Sequence, residues 1–283
     1  MTAPLPPSQP SPGSPVPRVI PGFRSEKMRG ASAWLAPALF LILLLIWEAV
    51  YRLGWADPLF TSAPSRIVAA AGWLFANGYW RDIGVSLYEF TVGFVVAAVA
   101  GVILGLLLGW SLLFRTAFEP FVTAMDAIPR VALMPLMILW FGLGLLSKIA
   151  IVFLGALFPI ALSTATGVRT IDLVLIESAR SFAATDRQII RTVVIPGALP
   201  SIVTGLRLGA NRALVGVIVG ELVSSTAGVG RMMAMAGATF QTDKVFVGVL
   251  TLAIFGYGLS ALFRSLENYF SRWRAQVVLP DER

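Results

Sequence analysis

The sequence predicts an all-α integral membrane protein of about six transmembrane helices. Three observations carry that prediction. Mean hydropathy is +0.81, and 57% of the 283 residues are hydrophobic. Only 13% are charged. Apolar runs recur at lengths near the ~20 residues a helix needs to cross a hydrocarbon core about 30 Å thick. The runs fall at residues 34–53, 85–110, 118–143, 148–166, 199–222 and 245–266. No polar stretch long enough for a separate catalytic domain remains between them.

Taken in order, residues 1–30 hold eight of the 18 prolines, with Ser and Gly between them and no hydrophobic period. That composition predicts a disordered tail. The transmembrane domain then runs over 31–274, and 275–283 form a second short tail. The first span follows a long tail and lacks a small-x-small cleavage site, so it reads as a retained anchor rather than a signal peptide. Between spans one and two, Ile67, Ala70, Ala71 and Leu74 keep helical spacing. A short amphipathic helix is expected there, with Trp73, Tyr79 and Trp80 suited to the headgroup zone.

Span two carries small residues every four positions: Gly93, Ala97, Gly101, Gly105 and Gly109. Span five does likewise with Gly205, Gly209 and Ala213, then Gly216 and Gly220. Such stripes let helices approach closely in lipid. They serve either static packing or sliding surfaces, against a helix of this chain or of another copy. Pro129, Pro135 and Pro159 interrupt spans three and four, where a freed carbonyl needs a neighbour or water.

Cys and His are both absent. Disulfides, thiol catalysis, histidine triads and His or Cys metal sites are thereby excluded. The 15 acids are scattered singly, so no metal site is expected, and no acid pair is placed for general acid–base work. A membrane-embedded enzyme therefore has no chemistry to stand on. No G-x-x-x-x-G-K-[ST] phosphate loop occurs, so ATP has no recognisable site on this chain. The pI near 10.4 follows from 22 basic residues. With the first span leaving the cytoplasm, thirteen of these fall on the cytoplasmic side, six outside and three within spans. That is the positive-inside pattern, with both termini cytoplasmic and no need for nucleic acid as a partner.

The most distinctive segment is polar: residues 177–200, ESARSFAATDRQIIRTVVIPGALP. Arg180, Arg187 and Arg191 are spaced seven and four apart, which predicts one side of a single helix. Phe182, Ile189 and Val193 predict a second, apolar side. The orientation above makes this a cytoplasmic loop, built to be gripped by another protein.

This segment resembles the EAA loop of ABC-importer permeases. Glu177, Ser178 and Ala179 stand for the triplet, Ala183 falls where the pattern has glycine, and Ile195 and Pro196 close the motif. A left-handed turn at that glycine position would cost alanine about 1 kcal/mol or more. The likeness continues through 128–136 (IPRVALMPL), 138–142 (ILWFG), Ser147 and Lys148, 158–160, 167–169, 197–202 and 205–209, and covers roughly 34–270. These strings are similar to the subgroup of permeases for nitrate, taurine and aliphatic sulfonates, with some relatives serving pyrimidine precursors.

The resemblance implies the type I importer fold and a bacterial inner-membrane, multi-pass location. It implies a second permease copy, two cytoplasmic ATPase subunits and an extracytoplasmic solute-binding protein. It places ATP and Mg on the partner ATPase, with no cofactor in this chain. Glu177, Ala179, Arg180, Phe182 and Ala183 are the expected ATPase contacts, with Arg187 and Arg191 bordering them. The alternative is an ion-coupled secondary transporter. That would call for buried carboxylates or histidines at midplane and an internal repeat, which are not apparent.

Three further residues are candidates for the translocation pathway. Arg212 lies about 20 Å into span five at 1.5 Å per residue; a charge at that depth is costly and points to function. With Asn211 it either offers a donor to a passing oxyanion or is satisfied structurally by a carboxylate. Glu221, near the outer end of the same span, either touches solute or sits at the interface. Asp126 and Arg130, four apart, are expected to pair.

Overall fold

A computed structural model describes residues 28–271. The tails expected over 1–30 and 275–283 lie outside these residues, except that 28–30 already belong to the first helix. Among the described residues every regular element is a helix. The chain divides into two units, residues 1–49 and 50–283. Helix α1, Met28–Arg52, supplies the described part of the first unit and covers the first expected span but for its last residue.

The second unit is built around one central helix. α3 (Tyr79–Trp110) and α9 (Ile195–Ser224) pack on neighbouring faces of α6 (Leu145–Arg169) and touch each other, and α11 (Thr242–Ser271) closes over α9. Both small-residue stripes face α6. A Cβ on Gly101 would lie 2.9 Å from Ile160 Cβ, and one on Gly105 would lie 2.5 Å from Ala161 O. From α9, a Cβ on Gly209 would lie 2.7 Å from Cγ1 of the same Ile160. Backbones approach this closely only where no side chain intervenes, and dispersion then replaces the hydrophobic drive that lipid removes. The stripes are thus intrachain packing surfaces.

The short helix expected between spans one and two is α2, Pro64–Ala76. Proline opens it where a free N–H is no loss, and Ile67 and Leu74 are its buried residues. Its start is tied to α11: Ser62 Oγ donates to Asp243 Oδ1 at 2.6 Å, and Arg66 pairs with Asp243 at 2.8 Å. The Tyr51 hydroxyl and the Asp243 carboxylate hold the exposed Arg66 guanidinium above its ordinary pKa.

Two spans differ from their sequence-based form. The run 118–143 is not one straight helix. α4 (Leu112–Ala127) and α5 (Arg130–Phe141) meet at a 99° bend. Pro129 excludes Ile128 from helical geometry, and Ile128 is extended at φ −69°, ψ 125°. Span five begins earlier than residue 199. α8 (Asp186–Ile189), a π-helical turn (Ile190–Val194) and α9 form one continuous 39-residue helix, Asp186–Ser224. The π turn lies just before Pro196, which has no N–H to offer the preceding carbonyls, and Ile195 N–H reaches five residues back to Ile190 O. Including the α4–α5 pair as one broken span, five crossings by length and composition are found among the described residues outside α1.

Candidate functional site: an exposed elbow and a charge cluster on α9

The polar segment is an elbow, not a single helix. α7 (Leu173–Ser181) begins at Asp172, whose side chain accepts from Val174 N–H at 2.9 Å. It ends at Ala183, which has φ +56°. Ala183 N–H bonds to Arg180 O at 2.9 Å and Ala184 N–H to Ala179 O at 3.2 Å. This pair of bonds is a Schellman closure, which puts its pivotal residue in the left-handed region. Thr185 then caps α8 through a reciprocal pair with Gln188. The left-handed turn sits on the alanine that stands where the motif has glycine.

The break corrects two expectations. Arg180 belongs to α7, whereas Arg187 lies on α8 and Arg191 on the π turn, so the three do not share one helix side. Phe182 leaves the apolar face and is 87% exposed, while Ile189 is fully buried beneath the elbow with Val194 and Ala198, and Val193 is half-buried against them. Helical periodicity predicted otherwise because it cannot register a single residue that reverses the sign of φ. Glu177, Arg180, Phe182, Ala183, Arg187 and Arg191 are all exposed, and Ala179 is half-buried. Arg180 faces Asp186 at 3.6 Å with both side chains at least 60% exposed, a geometry worth little in water. The elbow therefore offers an apolar side chain, arginines and a rigid turn to whatever seats on it.

Arg212 lies midway along α9. Its Nη1 pairs with Asp126 Oδ1 at 2.6 Å. Arg130 holds the same oxygen from α5 at 2.8 Å, and its other nitrogen caps Asp126 O at 2.5 Å and Ile128 O at 3.0 Å. The expected Asp126–Arg130 pair is thus present, and it fixes the α4–α5 bend. Arg212 lines two cavities that follow one another along α9. One, of about 630 Å³, also includes Asp126, Ser163, Thr166, Ser201, Thr204 and Glu267. The other, of about 400 Å³, includes Pro129, Arg130, Asn211 and Val215. Asn211 Oδ1 accepts from Ser260 at 3.4 Å.

Glu221 lies elsewhere. It is 1% exposed, accepting from Ser86 Oγ at 2.5 Å and from Gly230 N–H at 2.6 Å. Asp82 accepts from Gly228 N–H at 2.8 Å and Ser86 from Val229 N–H at 2.9 Å, so both fasten the start of α10 (Val229–Ala238) to α3. Beside this cluster the buried Lys148 pairs with the buried Glu89 and donates to Ser225 Oγ at 3.0 Å. Sequence reasoning did not connect Glu89, Lys148 and Glu221. The available signal was that each lies in an apolar helix within a few turns of the same bundle end.

With this geometry in view, comparison with known proteins is decisive. Residues 97–276 match the model of the family described as binding-protein-dependent transport system inner membrane component. The chain belongs to that family. It is 33% identical to a Bacillus subtilis protein described as an aliphatic sulfonates transport permease, SsuC, covering 89% of this chain and 92% of that one. It is 31% identical to the Escherichia coli taurine transport system permease TauC, covering 83% and 88% respectively. It is 35% identical to the Chloroflexus aurantiacus riboflavin transport system permease RibX, covering 92% and 98%. Among solved structures, the methionine ABC transporter MetNI matches with a TM-score of 0.57 at 24% identity, over 70% of this chain and 96% of that chain, which establishes the fold. The chain is the membrane-spanning permease component of an ABC importer, of type I fold, and a multi-pass inner-membrane protein. The reading as an ion-coupled secondary transporter is set aside.

Proposed function

We propose that this permease moves a small organic anion of the sulfonate class, driven by a separate ATPase that seats on the α7–α8 elbow. The elbow carries the reading of the drive. Its exposed Phe182 is an apolar anchor of the kind that dominates protein interfaces, and the turn that presents it is hydrogen-bonded on both sides. The relatives for aliphatic sulfonates and taurine support the substrate class, and Arg212 gives an anion a partner in mid-membrane. ATP and Mg belong to the ATPase, and no cofactor is assigned to this chain.

In this reading the elbow and both termini are cytoplasmic, an extracytoplasmic binding protein delivers solute at the α2–α10 end, and two copies of the chain enclose the route. Nucleotide-driven closure of the ATPase pair pulls on the elbows and tilts the helices continuous with them. The 39-residue continuity from Asp186 to Ser224 makes α8 a lever on α9. Arg180→Glu or Phe182→Ala is expected to abolish copurification with the ATPase while membrane insertion stays intact. Undiminished copurification of both variants would overturn the assignment.

A further inference from the structure

The charge cluster on α9 has an occupant built in. Asp126 is shared by two arginines that differ in how they are held. Arg130 makes three bonds to the end of α4, to Asp126 O, Asp126 Oδ1 and Ile128 O. Its side chain is 17% exposed, so it is fixed in the bend. Arg212 reaches the same carboxylate oxygen from α9, and its side chain is 48% exposed. It stands where the two cavities along α9 meet and lines both. The three groups together carry one net positive charge.

We propose that Arg212 is an exchangeable oxyanion site whose resident ligand, between solutes, is the Asp126 carboxylate. A passing monoanion with a sulfonate or carboxylate head displaces Asp126 from Arg212, while Arg130 retains Asp126 and keeps it ready to return. The exchange explains why a costly mid-membrane arginine has only a carboxylate oxygen that a second arginine also holds. It gives Arg212 a carboxylate partner when the route is empty, and it prevents solute from binding too tightly to leave. Asp126 is therefore a positioning residue that sets the strength of the site, and Arg212 is the group that meets the anion. The inference rests on the transport reading only in placing this cluster on the solute's route.

The competition is measurable on the purified permease in nanodiscs, from thermal shifts titrated with sodium ethanesulfonate and, separately, sodium propionate, with sodium chloride fixing ionic strength. If Asp126 occupies Arg212 about nine-tenths of the time, freeing Arg212 tightens apparent affinity about tenfold. Asp126→Asn is expected to show that tightening, and Arg212→Gln to lose the shift. Glu267→Gln removes an equal charge from the same cavity, where Glu267 pairs with Arg207 and Thr204 instead, and is expected to change affinity less than about twofold. Equal tightening in Asp126→Asn and Glu267→Gln would reduce the effect to general electrostatics and overturn the proposal. So would unchanged or weaker binding in Asp126→Asn. Tightening with both probes assigns the site to oxyanions generally, and tightening with ethanesulfonate alone assigns it to sulfonates. ATP-driven ethanesulfonate uptake by the whole importer is scored separately: its failure with the binding pattern intact would fault the substrate reading and leave the exchange standing.

Discussion

Replacing Ala183 by glycine should rigidify the elbow, because alanine occupies a left-handed position there at φ +56°. An L-residue in that region pays roughly 1–2 kcal/mol that glycine does not. Glycine in turn loses about 0.4–1 kcal/mol more chain entropy on ordering. The net expectation is a turn more stable by about 0.5–1 kcal/mol, a factor of about two to five in its local opening equilibrium. The two amides that close the turn, Ala183 N–H to Arg180 O and Ala184 N–H to Ala179 O, report that equilibrium by hydrogen exchange. In Ala183→Gly the Ala184 amide should exchange about two to five times more slowly. In Ala183→Val, where β-branching worsens the same conformation, it should exchange faster. A pre-organised elbow should also hold the ATPase more tightly by a similar factor. Faster exchange in the glycine variant, or indifference to valine, would refute the strain argument.

Other expectations follow from packing and buried charge. Gly105→Leu places side-chain atoms against Ala161 O and Thr164, already 2.5 Å from a bare Cβ, and should lower stability by about 1–3 kcal/mol or more, read from the melting temperature in detergent. Gly72→Ala on α2 meets no atom within 4 Å and should raise stability by roughly 0.5–1 kcal/mol. Lys148→Met leaves the buried Glu89 carboxylate unpaired and should cost about 3–5 kcal/mol. The double variant Glu89→Gln with Lys148→Met should recover more than half of that loss in the same melt.

What the sequence disclosed was set by range. α2 was legible from four residues at helical spacing, and the stripes on α3 and α9 were visible as periodic glycine and alanine. Their partner was not, because nothing in a four-residue period says that both stripes face α6. The prolines announced a break in span three, but the 99° bend depends on how Ile128 and Pro129 are caught by Arg130. The arginines of the elbow misled for a specific reason: Arg180 and Arg187 keep helical spacing across a residue that is not helical. Ala183 stands where the resembled motif has glycine, and its φ of +56° is the left-handed turn that a glycine there suggests. The Asp126–Arg212 and Glu89–Lys148 pairs join residues 86 and 59 positions apart. Such partners emerge only from the packing of α4 and α9 against α6, with α5 on α9, and of α3 on α6.

The central claim is that an ATPase drives this permease through the α7–α8 elbow from the cytoplasmic side. The chain has no cysteine, so Ser181→Cys, a near-isosteric change at an exposed position beside Phe182, supplies a single labelling site on the elbow. Treated with a membrane-impermeant maleimide, this variant should label in inverted vesicles but not in intact spheroplasts. Adding the cognate ATPase should protect it. Labelling from the outside of intact cells, or undiminished labelling with the ATPase bound, would contradict the account.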